Sequence, residues 1–93
     1  MYFVYILANK YNGTIYIGKT YDLPLRVSQH KEGIVKGFTK KFGINKLVYF
    51  EATEIVYAAV TRERQMKEWK RDWKVQLIEK DNPEWRDLYE DIV

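Results

Sequence analysis

The sequence predicts an α+β fold, in which helices flank a small three-stranded, mainly antiparallel sheet in the order β-β-α-β-α-α. Two short runs rich in β-branched and aromatic residues open the chain, and an Asn-Gly pair between them is typical of a β-hairpin. A third such run lies midway, and apolar residues recur at helical spacing after it. Because domains of about 100 residues are common, residues 1–93 are expected to form a single domain.

The first two predicted strands are Tyr2–Leu7 and Thr14–Gly18, joined through a turn at Asn12-Gly13. If the connection has an even number of residues, odd positions of the first strand share a face with even positions of the second. Tyr5 and Tyr16 then project from the same face of the sheet. A three-residue turn with a bulge would reverse this parity, so the prediction depends on the turn.

A helix is predicted to begin after Asp22 and to end at Gly33. Asp22 is a favourable N-cap, and Pro24 suits the first turn because the N–H that it lacks has no helical partner there. Arg26 and His30 are four residues apart, so they lie on one face of this helix.

Residues 33–45 are predicted to form a basic loop, and Leu47–Ala52 the third strand. A longer helix is expected from about Glu54, with Thr53 as its N-cap. Glu63 falls inside the apolar sector of that helix. The loop contains two phenylalanines among three lysines, which are Lys36, Phe38, Lys40, Lys41 and Phe42. The apolar stripe of the helix comprises Ile55, Ala59, Met66, Trp69 and Trp73.

The helical pattern is expected to bend near Lys70-Arg71 and to stop at Asn82-Pro83. A last short helix would then follow, with Asn82 as N-cap and Pro83 in its first position. The tryptophans follow the helical spacing, which favours a place in the core over base stacking for Trp69, Trp73 and Trp85.

Composition narrows the class of function. The absence of cysteine excludes disulfides, thiolate metal sites and cysteine nucleophiles. The net charge of +3 divides into +6 for residues 1–50 and −3 for residues 51–93. A basic half with interspersed tyrosines suits a phosphate-bearing partner, although a solvated surface explains the charge equally well. The opening apolar run is too short for a signal peptide or a membrane span, so a cytoplasmic location without membrane contact is expected.

The series Tyr5, Tyr16-Ile17-Gly18, Arg26, His30 and Glu63 resembles the signature of the GIY-YIG nuclease family. Phe3-Val4-Tyr5 stands where that family has Gly-Ile-Tyr, whereas Tyr16-Ile17-Gly18 is intact and Lys19 follows it, as in repair-type branches. The likeness runs from Tyr2 to about Tyr89 and is closest to the small stand-alone branch. Further counterparts in that branch are Leu47-Val48-Tyr49, Arg62-Glu63 and Asn82-Pro83-Glu84-Trp85.

The resemblance implies an endonuclease that uses Mg²⁺ or Mn²⁺ to hydrolyse DNA phosphodiesters, in DNA repair or recombination. Little sequence preference is expected, because no separate element remains for reading bases. A homodimer or a partner protein is one way for such a domain to cut both strands. The alternative is a nucleic-acid-binding or protein-interaction module that keeps the scaffold without catalysis.

The resemblance also assigns roles to the site residues. Glu63 would bind the metal, since hard cations need few protein carboxylates when phosphate and water complete the shell. Arg26 would stabilise charge on the phosphate. Tyr5 would orient or deprotonate water, and Tyr16 would hold the phosphate or share that work. Nearby cations would have to lower the pKa of these phenols, which is ordinarily about 10. Taken singly, each residue also fits a structural role: an exposed arginine, two packed strand tyrosines and a glutamate paired with Arg62 or another cation.

Four further positions allow two interpretations. His30 would accept a tyrosine proton or bond phosphate, or would be a surface histidine near a helix C-terminus. Gly18 would allow close approach at the strand end or would simply end the strand. Lys19 would contact phosphate or be solvated, and Asn82 would be a site residue or, as we favour, a helix cap.

Overall fold

The structure, a computed structural model, describes all residues from 1 to 93 and confirms the α+β fold. The strands are β1 Tyr2–Ala8, β2 Ile15–Thr20 and β3 Lys46–Thr53. The helices are α1 Leu23–Lys31, α2 Phe38–Lys41, α3 Val56–Glu68 and α4 Arg71–Asp81, and a 3₁₀ turn follows at Tyr89–Asp91. The short helix α2 lies in the segment predicted to be a loop. None of the helices has the length and apolar character needed to cross a membrane.

Strand β1 lies at the centre of the sheet and pairs antiparallel with β2 on one side and β3 on the other. In the hairpin, Tyr5 is opposite Gly18 and Leu7 is opposite Tyr16. Residues 9–14 form the connection, and Asn12 adopts the positive φ of 53° that such turns require. Tyr5 and Tyr16 therefore project from the same face, as the parity argument predicted.

Alternate residues of β1 pack into two separate hydrophobic clusters on opposite faces of the sheet. We call them the α3 face and the α1 face after the helices that contribute to them. The buried residues of the α3 face are Val4, Ile6, Ala8, Ile17, Val48, Ala59, Met66, Ile78 and Trp85. Those of the α1 face are Tyr5, Leu7, Leu23, Val27, Ile44 and Leu47.

Helix α1 begins as the sequence predicted. The Asp22 carboxylate accepts a hydrogen bond from the Leu25 backbone N–H at 3.1 Å, and Gly33 follows the helix with a φ of 73°. Helix α3 starts later than predicted, at Val56. The Thr53 hydroxyl accepts from the Ile55 backbone N–H at 3.2 Å, which holds a turn before the helix instead of capping it.

The predicted last helix is absent, and the prediction that Asn82 is an N-cap is wrong. Asn82 ends α4, and its amide N–H₂ donates to the backbone oxygens of Val48 at 3.1 Å and Arg86 at 2.8 Å. Its amide oxygen accepts from the Arg86 backbone N–H at 2.9 Å. Trp85 has a φ of 57°, which a right-handed helix excludes. Asn82 thus fastens the chain after α4 to β3.

The structure buries only some of the tryptophans and some of the apolar stripe that were predicted to lie in the core. Trp85 is fully buried and Trp69 is partly buried, but Trp73 is 55% exposed and Ile55 is 63% exposed. The reason is that the chain bends between α3 and α4, as predicted near Lys70, and this bend turns Trp73 away from the sheet. Trp73 contacts the edge of Trp69 instead, with ring centroids 6.2 Å apart.

Candidate active site

A chain of buried polar side chains lies on the α1 face. The Tyr5 hydroxyl is 3.2 Å from Nε2 of His30, and Nδ1 of the same ring is 3.1 Å from the Thr39 hydroxyl. All three residues are buried, with Tyr5 only 1% exposed. Both nitrogens of His30 are therefore bonded within the protein, which leaves neither free for a phosphate. His30 is not the surface histidine that a lone residue near a helix end suggests.

Gly18 is required by its contact with the Tyr5 phenol. A Cβ at position 18 would lie 2.6 Å from the Tyr5 hydroxyl oxygen and 3.0 Å from Cε2 of Tyr16. The first distance is far inside van der Waals contact, so any other residue would displace a buried ring. Gly18 thus permits the two phenols to approach the strand, as one of its two sequence interpretations proposed.

Tyr16 is the more accessible of the two phenols. Its ring is 6.4 Å from that of Tyr5 and 5.7 Å from that of His30, centroid to centroid. It is partly exposed, and its hydroxyl makes no hydrogen bond within the chain. The Tyr16 hydroxyl is consequently free to bond a water molecule or a phosphate oxygen.

Burial keeps the Tyr5–His30 pair neutral. Desolvation raises the pKa of Tyr5 to about 12, although Arg26 favours the phenolate, and the charges of Tyr16 and Glu63 raise it further. Desolvation, followed by the positive charge of Arg26, lowers the pKa of His30 to about 4. At neutral pH the proton therefore stays on Tyr5, which is the opposite of the lowered phenol pKa that the sequence led us to expect.

Glu63 lies on the other side of the strand, among residues of the α3 face. Its two carboxylate oxygens pair with Lys19 at 3.6 Å and with Lys67 at 3.2 Å, and its side chain is 16% exposed. Arg62, a partner considered from the sequence, instead binds Glu51 at 2.9 Å. The position of Glu63 is close enough for its charge to raise the pKa of Tyr5. Glu63 and the phenols thus belong to one electrostatic environment.

Lys19 and Arg26 line a common cleft. The cleft has a volume of about 310 Å³, and the end of β2 and the first turns of α1 form its walls. Arg26 also donates a long hydrogen bond of 3.4 Å to the Gln29 side chain. Lys19 also pairs with Glu63 of α3. It therefore links the cleft, where Arg26 lies, to the Glu63 carboxylate. The Asp22 carboxylate also lines the cleft, where it accepts from the Leu25 N–H, and the two cations around the cleft suit a phosphate group.

A divalent cation would have Glu63 as its protein ligand. No group of three or more His, Cys, Asp or Glu side chains lies close enough to hold a metal. A single carboxylate suits Mg²⁺ or Mn²⁺, which retain several waters and bind substrate phosphate. The lysines that pair with Glu63 must release it first, so Glu63 fits a cation that arrives with phosphate rather than one held permanently.

Two residues of this region, Thr39 and Lys67, were not predicted from the sequence. Thr39 bonds His30 from nine residues away, and its position in a basic loop gave no sign of burial. Lys67 is four residues after Glu63 on the same helix, and that spacing is a signal that could have identified the pair. Asn82 lies outside the site, because its amide bonds only backbone groups of β3 and the C-terminal segment.

Comparison with known proteins identifies the family of the chain. The model of the GIY-YIG catalytic domain matches residues 1–76. The UPF0213 protein of Clostridium perfringens is 40% identical over 78 residues, which are 84% of this chain and 83% of that protein. A UPF0213 protein of Haloquadratum walsbyi is 33% identical over 84% of this chain and 86% of its own length.

The solution NMR structure of a UPF0213 protein from Bacillus halodurans is similar in fold. It covers 94% of this chain and 93% of its own, with a TM-score of 0.57 and 28% sequence identity. The resemblance to a small stand-alone branch is thereby confirmed. The chain belongs to the GIY-YIG nuclease family, within the branch of UPF0213 proteins.

Proposed function

We propose that this protein is a divalent-metal-dependent endonuclease that hydrolyses DNA phosphodiester bonds. The observation that carries the proposal is the cleft lined by Lys19 and Arg26. Lys19 pairs with the Glu63 carboxylate, and the charge of Arg26 acts on both Tyr5 and His30. Family membership supports a nuclease, and the cleft supports a phosphate as the group that it binds. The proposal takes residues 1–93 as one domain acting in DNA repair or recombination in the cytoplasm, with a second copy or a partner protein for double-strand cuts.

The role of each residue follows from whether its side chain is exposed or buried. Arg26 and Lys19 bind the scissile phosphate, because both are cationic and line the same cleft. Tyr16 contacts the attacking water or a phosphate oxygen through its free hydroxyl. Tyr5 and His30 act as positioning residues, since both are buried and bonded to each other. Gly18 keeps open the space in which the two phenols meet the strand.

Glu63 would hold a Mg²⁺ or Mn²⁺ ion, which would supply positive charge for the phosphate and the departing oxygen. Lys19 and Lys67 occupy the carboxylate in the free protein. When substrate enters, its phosphate offers Lys19 a second anion, so this lysine can leave Glu63 without losing its charge partner. Neutralising Glu63 also removes one of the charges that raise the pKa of Tyr5.

One observation favours a second candidate, a DNA-binding module without efficient catalysis. In the free protein the Tyr5 pKa is raised to about 12, and both oxygens of Glu63 are paired with lysines. This state has neither a ready base nor an open carboxylate. The nuclease proposal requires that substrate change both conditions.

A plasmid-nicking assay distinguishes the nuclease from the DNA-binding module. Supercoiled plasmid with Mg²⁺ or Mn²⁺ should be nicked by wild type, and Glu63→Gln should reduce the rate by about 10³-fold, the loss seen when a group that stabilises developing charge is removed. Glu68→Gln is the matched control, because Glu68 is an exposed carboxylate on the same helix. If wild type binds DNA but never nicks single-stranded, duplex, branched or damaged substrates, the binding-module function replaces the nuclease.

A further inference from the structure

A basic aromatic patch surrounds α2, and it comprises Lys36, Phe38, Lys40, Lys41 and Phe42. All five residues are exposed. Phe38 is 49% exposed and Phe42 is 48% exposed, although apolar rings of this size are usually buried. The two rings contact each other with centroids 5.0 Å apart, and the Lys41 ammonium lies 5.5 Å from the centroid of Phe42. This pair of rings is presented to solvent rather than to the core.

The charge around the two rings has one sign. From residue 33 to residue 50 the chain has four lysines and neither aspartate nor glutamate. Lys36, Lys40 and Lys41 are exposed, and none of them forms a salt bridge. A free cationic surface attracts an anionic partner, and aromatic rings among the cations suit one that also has flat apolar faces. Nucleic acid has both properties.

The patch is joined to the candidate active site through one buried residue. Thr39 lies between Phe38 and Lys40, and its hydroxyl is 3.1 Å from the His30 ring that bonds Tyr5. Helix α2 is therefore fixed to the phenols, while its exposed residues face outward. A strand bound along the patch would therefore contact the helix whose Thr39 holds the buried His30–Tyr5 pair.

We propose that the basic aromatic patch binds unpaired bases of a single-stranded segment in the DNA substrate, with Phe38 and Phe42 stacking on bases and the three lysines contacting phosphates. This inference rests on the proposed function and names the substrate class: DNA in which bases next to the cut are unpaired. Intact duplex hides the faces of its bases, so the rings gain little from it. Stacking tolerates any base, which agrees with little sequence preference.

Exposed Trp73 and partly buried Trp69 form a second aromatic pair, and the charges around it differ. Glu68 and Lys70 line the same cavity as the two tryptophans, and Asp72 is adjacent in sequence to Trp73. Charges of both signs therefore surround this pair, which lacks the one-signed charge of the patch. Trp73→Ala therefore provides a matched control, because it removes an exposed ring that also contacts a second aromatic ring.

The test measures binding without cleavage. Fluorescence anisotropy in EDTA would compare a labelled single strand of about 20 nucleotides, long enough for one site, with the blunt duplex of the same sequence. The Phe38→Ala/Phe42→Ala double variant should bind the single strand about 10-fold or more weakly and the duplex nearly as well as wild type. Phe38→Trp/Phe42→Trp should retain tight binding, and Trp73→Ala should match wild type. Thermal unfolding checks that each variant is folded.

The lysines give an independent readout. Replacing Lys36, Lys40 and Lys41 by alanine should flatten the dependence of log K on log salt by about 2, since each single-strand phosphate contact contributes about 0.7. Lys80→Ala, which removes an exposed lysine at the end of α4, should leave the slope unchanged.

Equal binding of wild type and the phenylalanine double variant would overturn the proposal and would indicate another occupant, such as a protein. So would equal losses on single strand and duplex, or no DNA binding at all. Because the assay contains no metal, a failure to nick plasmid refutes the nuclease without changing these outcomes.

Discussion

The two faces of β1 differ in what they bury: one packs apolar side chains, and the other also buries a chain of hydrogen-bonded polar groups. On the α3 face, Val4 and Ile6 pack in a cluster whose buried members are aliphatic apart from Met66 and Trp85. On the α1 face, Tyr5 belongs to a buried hydrogen-bonded chain with His30 and Thr39. An unpaired buried polar group costs about 1–3 kcal/mol, and no buried side-chain polar atom here lacks a partner. Apolar residues would fill this space without that risk, so packing alone does not require the polar chain.

The two faces meet at the outer edge of the sheet. Gly18 and Lys19 are adjacent in β2, so they project to opposite faces. Gly18 contacts the Tyr5 phenol on the α1 face, and Lys19 pairs with Glu63 on the α3 face. The candidate site therefore extends across this edge: the α3 face supplies Lys19 and Glu63, and the α1 face supplies the phenols and His30.

Tyr16→Phe should show the largest effect on the α1 face. Removing the free hydroxyl should lower the nicking rate by about 10²–10⁴-fold, which is the usual contribution of a positioned proton-transfer group. The free energy of unfolding should change little, because this hydroxyl has no partner within the chain. Plasmid nicking and urea unfolding measure the two quantities. A variant that cuts normally would remove Tyr16 from the proposed machinery.

Ile6→Ala should lower the free energy of unfolding and leave cleavage unchanged. Ile6 is fully buried on the α3 face, and truncating such a residue costs about 2–5 kcal/mol through lost burial and the cavity left behind. Nicking per folded molecule should remain near wild type. Val93→Ala serves as control, because Val93 is 67% exposed. If Ile6→Ala impaired cleavage at full stability, the division between the two faces would be wrong.

The lowered pKa of His30 predicts that the free energy of unfolding depends on pH. Its pKa is about 4 in the folded protein and about 6.5 when unfolded, so between these values the unfolded chain binds the extra proton. Stability therefore rises with pH in this window: the contribution of neutral His30 is present above pH 6.5 and is lost as pH falls towards 4. The loss should amount to about 2–3 kcal/mol.

The comparison that isolates this contribution is His30→Gln, which does not titrate. Its unfolding free energy should fall less steeply between pH 6.5 and 4 than that of wild type, as measured by urea unfolding at a series of pH values. Parallel curves for the two proteins would mean that His30 does not remain neutral on folding.

Lys67→Ala should give the smallest effect, on the α3 face. Lys67 is half exposed, and exposed ion pairs contribute only about 0.2–1 kcal/mol. Freeing one oxygen of Glu63 should lower the Mn²⁺ concentration for half-maximal nicking by about 2–5-fold. Lys80→Ala should not change it. An unchanged Mn²⁺ requirement would show that Lys67 does not compete with the metal.

The sequence by itself determined the features that nearby residues encode. Strand alternation and an even connection placed Tyr5 and Tyr16 on one face, and the Asp22 cap with the four-residue spacing placed Arg26 and His30 on one helix face. These features depend only on the regular spacing of side chains along a strand or a helix, which a few neighbouring residues specify. The N-cap assigned to Asn82 failed for the same reason: the local motif suited a helix, but bonds to a distant strand satisfied the amide.

Only the tertiary structure decided the burial and the partners of these side chains. His30 became neutral because packing removed it from water, and Thr39 became its partner because α2 folds back over α1. Likewise, Lys19 and Glu63 are 44 positions apart and pair only when α3 covers the sheet. Solvent exclusion and contacts between distant segments depend on the whole core, and no local period records them.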